Sequence, residues 1–180
     1  HNDLLSEEFK SFLKYITNQE VFIDKAFHGG GIHQGKKKSF LDMHLDFNYH
    51  SLHKNWYRYL NLLLYLNKDW KPEYGGHLKI QDLRTSESND IEVPFNRMVI
   101  QLTNNYTLHG YDVTNFPDGM FRTSIASYAY MKHQYIVEKP RTTDWHVGEG
   151  KPVKQFLASI YDPAVKIKNK LFGSGTAKNQ

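Results

Sequence analysis

Between residues 40 and 132 the chain breaks into short runs of alternating apolar and polar residues separated by turn-forming clusters, and this rhythm restricts its fold more than any other feature. LDMHLDF (41–47), HLKIQDL (77–83), RMVIQLT (97–103) and FRTSIASYAY (121–130) repeat with period two, the side-chain period of a half-buried strand. YRYLNLLLYLN (57–67) is apolar almost throughout and predicts a strand buried on both faces. KDWKPEYGG (68–76) and FPDG (116–119) carry the Pro, Asp and Gly of turns. RTSESND (84–90) reads as a polar loop, and FHGGGIHQGKKKS (27–39) as a flexible glycine-rich segment without the order of a P-loop. Several strands at such spacing, with no helix between them, predict a sandwich or barrel rather than alternating βαβ units.

Helical periodicity is confined to the ends. SEEFKSFLKYIT (6–17) sets Phe9, Phe12, Leu13 and Ile16 on one stripe, with Ser6 as N-cap and Glu7 and Glu8 in the first turn. PVKQFLASIY (152–161) and DPAVKIKNKLFG (162–173) read as two further helices. One domain is expected over 1–180: a helical segment to about 20, a β core over about 21–135 and a helical segment over about 150–173. With no cysteine, the chain is excluded from disulfide, zinc-thiolate and thiol-nucleophile chemistry. No apolar run is long enough to span a membrane and no basic-then-apolar leader opens the chain, so a soluble, cytoplasmic protein is expected. The net charge of +4 owes much to lysines between 151 and 178, which read as a solvated helix face rather than a nucleic-acid patch.

His44 and Asp46 stand two apart in LDMHLDF, so one strand face carries an imidazole and a carboxylate. Two readings are open: a polar face toward water, or two ligands of a metal. An H-x-[DE] triplet arises by chance about once in a chain of this composition, so the pair needs company. His109, in QLTNNYTLHGYDV, follows another apolar strand and precedes a glycine that permits close backbone approach. Two imidazoles and one carboxylate on a β-scaffold match the facial arrangement that leaves three positions of non-haem Fe(II) open. Arg122 and Ser124 share a strand face, and a guanidinium fork beside a hydroxyl suits a carboxylate. An inward Arg122 calls for such an anion, because burying it alone is unfavourable. Tyr65 could donate to the same anion. His50 and His53 could ligate a second metal, although loop residues near the substrate mouth are the better reading.

Taken in order, His44-Leu-Asp46, YLNKDW (65–70) with the Gly75-Gly76 pair, His109-Gly, and Arg122-Thr-Ser124 resemble the 2-oxoglutarate and Fe(II)-dependent oxygenases, in their prolyl 4-hydroxylase-like branch. YLNKDW with its downstream glycines is especially similar to the oxygen-sensing prolyl hydroxylases, and the resemblance spans roughly residues 40–130. It implies a mainly β fold, with a double-stranded β-helix (jelly-roll) core and flanking N- and C-terminal helices. It implies iron on His44, Asp46 and His109. Arg122 would pair with the distal carboxylate of 2-oxoglutarate, helped by Tyr65 and Ser124, and Arg58 would lie near the substrate entrance. Gln34 departs from the pattern, standing where the sensing enzymes carry a tyrosine ten residues before the H-x-D histidine.

The activity implied is oxidative decarboxylation of 2-oxoglutarate to succinate and CO2, coupled to hydroxylation of an aliphatic C–H. Fe(II) and O2 take part, with ascorbate as reductant. The expected substrate is a prolyl residue of a peptide or protein. Hydroxylation of a free amino acid or other small molecule would use the same iron site, and a non-catalytic jelly-roll binding module is the reading from another class. Nucleic acid is not expected as a partner, since Tyr128 stands where the demethylase branch carries a second arginine. Asp46 also argues against halogenation, which needs the carboxylate ligand replaced.

Overall fold

The computed structural model describes residues 2–146, so the helices expected at 152–173 lie outside the described residues. Helix α1 (Glu7–Thr17) starts where Ser6 Oγ accepts the Phe9 N–H at 3.1 Å, and it stops where left-handed Asn18 donates to the Lys14 carbonyl at 2.8 Å. Leu13 is 1% exposed and packs, with Phe9, on Val21, Leu60, Leu62 and Ala129. Phe12 and Ile16, expected in the same stripe, remain 46% and 45% exposed. The apolar stripe is therefore used only along its centre.

The strands are β1 (Phe22–Ile23), β2 (Gly31–Gly35), β3 (Leu41–Leu45), β4 (Trp56–Tyr65), β5 (Leu78–Asp82), β6 (Ser88–Ile91), β7 (Arg97–Leu102), β8 (Thr107–Tyr111), β9 (Arg122–Lys132) and β10 (Asp144–His146). They form two five-stranded antiparallel sheets. One runs β1-β9-β4-β7, with β2 also paired to β9, and the other runs β10-β3-β8-β5-β6. Strand β4 is buried on both faces, as its composition predicts. Leu60 and Leu62 meet α1, while Asn61, Leu63 and Tyr65 face a cavity shared with the second sheet.

Five short strands escape the alternation rule, among them β8, where Leu108, His109 and Gly110 are buried in succession. The glycine-rich segment is a strand where it lies along β9, Gly31 opposite Ala126 through Gly35 opposite Arg122, so pairing overrides a poor strand propensity. In β6, SND lies in an exposed edge hairpin with β5, where neither face has to be apolar. β1 and β10 hold two and three residues, too few to alternate visibly, and β10 lies beyond residue 135.

Two register shifts aim the polar side chains. On β4 the pairing slips between Arg58, opposite Tyr130, and Leu60, opposite Ala129. Without the extra residue, Arg58 would share the face of Leu60 and Leu62 and point at α1; with it, Arg58 turns inward alongside Asn61. On β3 the slip falls between Leu41, opposite Tyr111, and His44, opposite His109. It brings Leu41 and His44 to one face.

Candidate active site

His44 and His109 are direct cross-strand partners on β3 and β8, with ring centroids 4.3 Å apart. Such proximity needs a close approach of the two strands, and Gly110 allows it: a Cβ there would stand 2.5 Å from the Leu41 carbonyl oxygen. Asp46, one residue past β3, completes the group. One ligand atom from each of the three side chains lies within 4.8 Å of the others, and no second such group of His, Asp or Glu occurs among the described residues.

Each of the three is held from behind. His44 Nδ1 lies 2.9 Å from the Asp42 carbonyl, which can only accept, so Nδ1 carries a proton and Nε2 is the atom turned to Asp46. Asp46 Oδ2 accepts from Arg58 Nη2 at 3.0 Å and from Asn61 Nδ2 at 2.6 Å, leaving Oδ1 available. Burial alone would raise the pKa of Asp46; the Arg58 guanidinium, His44 and His109 outweigh it and hold the carboxyl far below the usual carboxylate range. Gln101, from β7, reaches His109 Nδ1 at 3.3 Å. The donor set fits a divalent metal of the Fe(II) type: two imidazoles, one ionised carboxylate and an open side toward a cavity of about 230 Å³.

Burial, partly opposed by Asp46, pushes His109 down to about 4. An unfolded histidine titrates near 6.5, so between these values the unfolded chain binds a proton that the folded chain does not. Stability of chelator-treated protein is therefore expected to fall as pH drops through that window, by at most about 3 kcal/mol for this one group. Urea midpoints measured across the window check it, and a flat profile contradicts the burial of a neutral His109.

The opposite sheet carries the anion side of the same cavity. Arg122, 6% exposed, donates from Nε to the Gly76 carbonyl at 2.7 Å, and its Cζ lies 3.9 Å above the Tyr111 ring. Among the described residues no carboxylate pairs with it. Gly76 has φ +65°, and a Cβ there would meet Arg122 Cδ at 3.1 Å and Thr114 Cγ2 at 2.7 Å, which explains the second glycine of the pair. Asn67 of YLNKDW accepts from the Thr123 N–H at 2.6 Å and donates to the Val93 carbonyl at 2.7 Å, tying the turn to the start of β9. Trp70 Nε1 donates to the Gly75 carbonyl at 3.3 Å. The motif thus braces the ground on which Arg122 stands.

The seven residues assigned from sequence to the iron, the cosubstrate and the substrate line one cavity: His44, Asp46, His109, Arg122, Tyr65, Ser124 and Arg58. Tyr65 and Ser124 are register partners across β4 and β9. Arg58, expected near the substrate entrance, lines the cavity beside Asp46 at 2% exposure, its Cζ 3.5 Å from the Tyr128 ring and 4.2 Å from that of Phe47. Its Nη1 is buried without a hydrogen-bond partner among the described residues. His50 is no ligand: Nδ1 accepts the N–H groups of Leu52 and His53, and Nε2 faces Asp24 Oδ2 at 3.3 Å. His33, Asn61 and Gln101 were not singled out by sequence. His33 pairs with Ser124 in register, and both His33 and Gln34 line the cavity, the Gln34 side chain donating to Thr123 Oγ1 at 3.4 Å. Strand alternation through GIHQG would have found His33; neutral amides in apolar strands give no such signal.

A family model described as the 2OG-Fe(II) oxygenase superfamily matches residues 30–130. No curated protein matches the sequence. Among solved structures, prolyl 4-hydroxylases from Phytophthora capsici align with 88% of this chain and 51% of theirs, at 15% identity and a TM-score of 0.54, a likeness of fold. A Pseudomonas putida prolyl-4-hydroxylase aligns over 74% of this chain and 64% of its own, at 15% identity and a TM-score of 0.47. A prolyl hydroxylase from Trichoplax adhaerens, in complex with a hypoxia inducible factor oxygen degradation domain peptide fragment, aligns over 55% and 41%, at 18% identity and a TM-score of 0.45. The chain thus spans between 41% and 64% of the length of these structures. No helix among the described residues is long and apolar enough to cross a membrane.

Proposed function

The chain belongs to the 2OG-Fe(II) oxygenase superfamily, and from that premise we propose that it hydroxylates an aliphatic C–H, that of a prolyl residue in a peptide or protein. The observation that carries the reading is the shared cavity: a His-Asp-His cluster on one sheet faces, on the other, a buried arginine that has no carboxylate partner among the described residues. We infer that the two sheets form a double-stranded β-helix, a reading supported by their antiparallel pairing and by the likeness to the Phytophthora capsici enzymes.

In this reading His44, Asp46 and His109 hold Fe(II), which, when bound, supplies the O2-dependent oxidative decarboxylation of 2-oxoglutarate. Arg122, steadied by Gly76 and Tyr111, pairs with the distal carboxylate of the cosubstrate, and the Tyr65 and Ser124 hydroxyls add hydrogen bonds. Arg58 and Asn61 keep Asp46 ionised and fix its orientation, so that one oxygen stays turned to the metal. Arg58 lines the same cavity beside Asp46, and in this reading it stands on the substrate side of the site. The prolyl assignment is supported by the order His44-x-Asp46, YLNKDW, Gly75-Gly76 and Arg122-x-Ser124.

Purified protein supplied with Fe(II), 2-oxoglutarate, O2 and ascorbate is expected to form succinate. Proline-containing peptides are expected to accelerate it and to gain the mass of one oxygen atom. Stimulation by free amino acids but by no peptide in a broad library would overturn the prolyl reading and keep the chemistry. Folded protein that gives no visible charge-transfer band with Fe(II) and 2-oxoglutarate under anaerobic conditions would be a binding module instead.

A further inference from the structure

Around the His-Asp-His cluster, the hydrogen-bonding roles follow from groups that can only donate or only accept. Arg58 Nε can only donate, so the atom of Asn61 lying 2.8 Å from it is the carbonyl oxygen Oδ1. The Asn61 NH2 group then turns to Asp46 Oδ2 at 2.6 Å and, with its second hydrogen, to Gln101 Oε1 at 3.4 Å. By elimination Gln101 presents Nε2 to His109 Nδ1 at 3.3 Å. The donors run one way, from Arg58 through Asn61 and Gln101 to His109. They set the imidazole proton of His109 on Nε2, 3.4 Å from Asp46 Oδ2.

A cation on Nε2 imposes the reverse: Nδ1 must then carry the proton and needs an acceptor. His44 meets that demand through the Asp42 carbonyl. His109 meets it only if the Gln101 carboxamide makes a half-turn, bringing Oε1 to Nδ1 and giving up the 3.4 Å contact with Asn61, the longest in the line. We propose that Gln101 is a positioning residue that sets the tautomer of His109, and that its carboxamide turns when the imidazole serves as a ligand through Nε2. This role rests on the reading of His44, Asp46 and His109 as a metal centre.

Long-range proton–nitrogen NMR of histidine-labelled, chelator-treated protein tests it. His44 is expected as the Nδ1–H tautomer and His109 as Nε2–H, with both Nδ1–H once Zn(II) is added as a diamagnetic probe. Gln101→Glu, which as a carboxylate can only accept, is expected to hold His109 as Nδ1–H before any metal is present at neutral pH. Gln101→Leu is expected to erase the preference and weaken Zn(II) binding about 10-fold. If the leucine variant does not fold, the near-isosteric glutamate variant decides alone. His109 already Nδ1–H in the chelated wild type, or a tautomer indifferent to Gln101→Glu while Zn(II) still binds, overturns the role of Gln101 and leaves the metal centre standing. No response of His44 or His109 to Zn(II) overturns both.

Discussion

Asp46→Ala is expected to abolish Fe(II) binding and, separately, to lower folding stability by about 3–5 kcal/mol. The second effect comes from Arg58. That guanidinium is 2% exposed, lies between the rings of Phe47 and Tyr128, and has Asp46 as its one carboxylate partner among the described residues. Stacking on aromatic faces softens the burial of a cation, but it does not replace a counter-charge. Among the described residues Nη1 already has no hydrogen-bond partner, so losing the carboxylate would strand a second nitrogen as well. His109→Ala removes a neutral ring and strands no charge. Two variants that both lose the metal should therefore differ in stability, and urea unfolding of the chelator-treated proteins measures the difference. Adding Arg58→Met to Asp46→Ala is expected to restore much of the stability and none of the metal binding. If Asp46→Ala unfolds at the wild-type urea concentration, Arg58 does not depend on Asp46, and this account of the site's electrostatics fails.

The same residues show where sequence reading succeeds. His44 and Asp46 were legible as a pair because a strand repeats every two residues, and Arg122 with Ser124 for the same reason. Leu60 and Leu62 facing α1, with Asn61 and Tyr65 facing inward, follow from the same rule. What was hidden lies where the period breaks. Strict alternation assigns Arg58 to the outer face of β4, and only the extra residue between Arg58 and Leu60 turns it onto Asp46. A bulge leaves no mark in composition, because any side chain can occupy it. The glycine segment at 27–39 failed for another reason: its strand exists through pairing with β9, a long-range effect that local propensity cannot register. Asn61 and Gln101 were passed over because one neutral amide in an apolar run has many structural uses. Only geometry shows that they lie in line between Arg58 and His109.

Arg122→Ala is expected to weaken 2-oxoglutarate binding by about two to three orders of magnitude, the loss typical of a buried hydrogen-bonded charge pair, while leaving the Fe(II) requirement near normal. The separation follows from placement: the metal cluster stands on β3 and β8 of one sheet, and Arg122 on β9 of the other. The guanidinium is fixed before any ligand arrives. Nε is committed to the Gly76 carbonyl at 2.7 Å, Cζ lies 3.9 Å above the Tyr111 ring, and Asn67 anchors the neighbouring Thr123. A carboxylate therefore meets a fork that loses little freedom on binding, which is where a preorganised arginine gains over a flexible one. Arg122→Lys separates charge from geometry. It keeps the positive charge but forfeits both the Gly76 anchor and the two-pronged contact, so its affinity should fall between those of alanine and wild type. Succinate formation measured against 2-oxoglutarate at saturating Fe(II), and against Fe(II) at saturating 2-oxoglutarate, reads the two requirements independently. Equal weakening of both would mean that Arg122 supports the fold of the cavity rather than the anion. Unchanged cosubstrate affinity in Arg122→Ala would move the anion site elsewhere and leave a buried cation with no task.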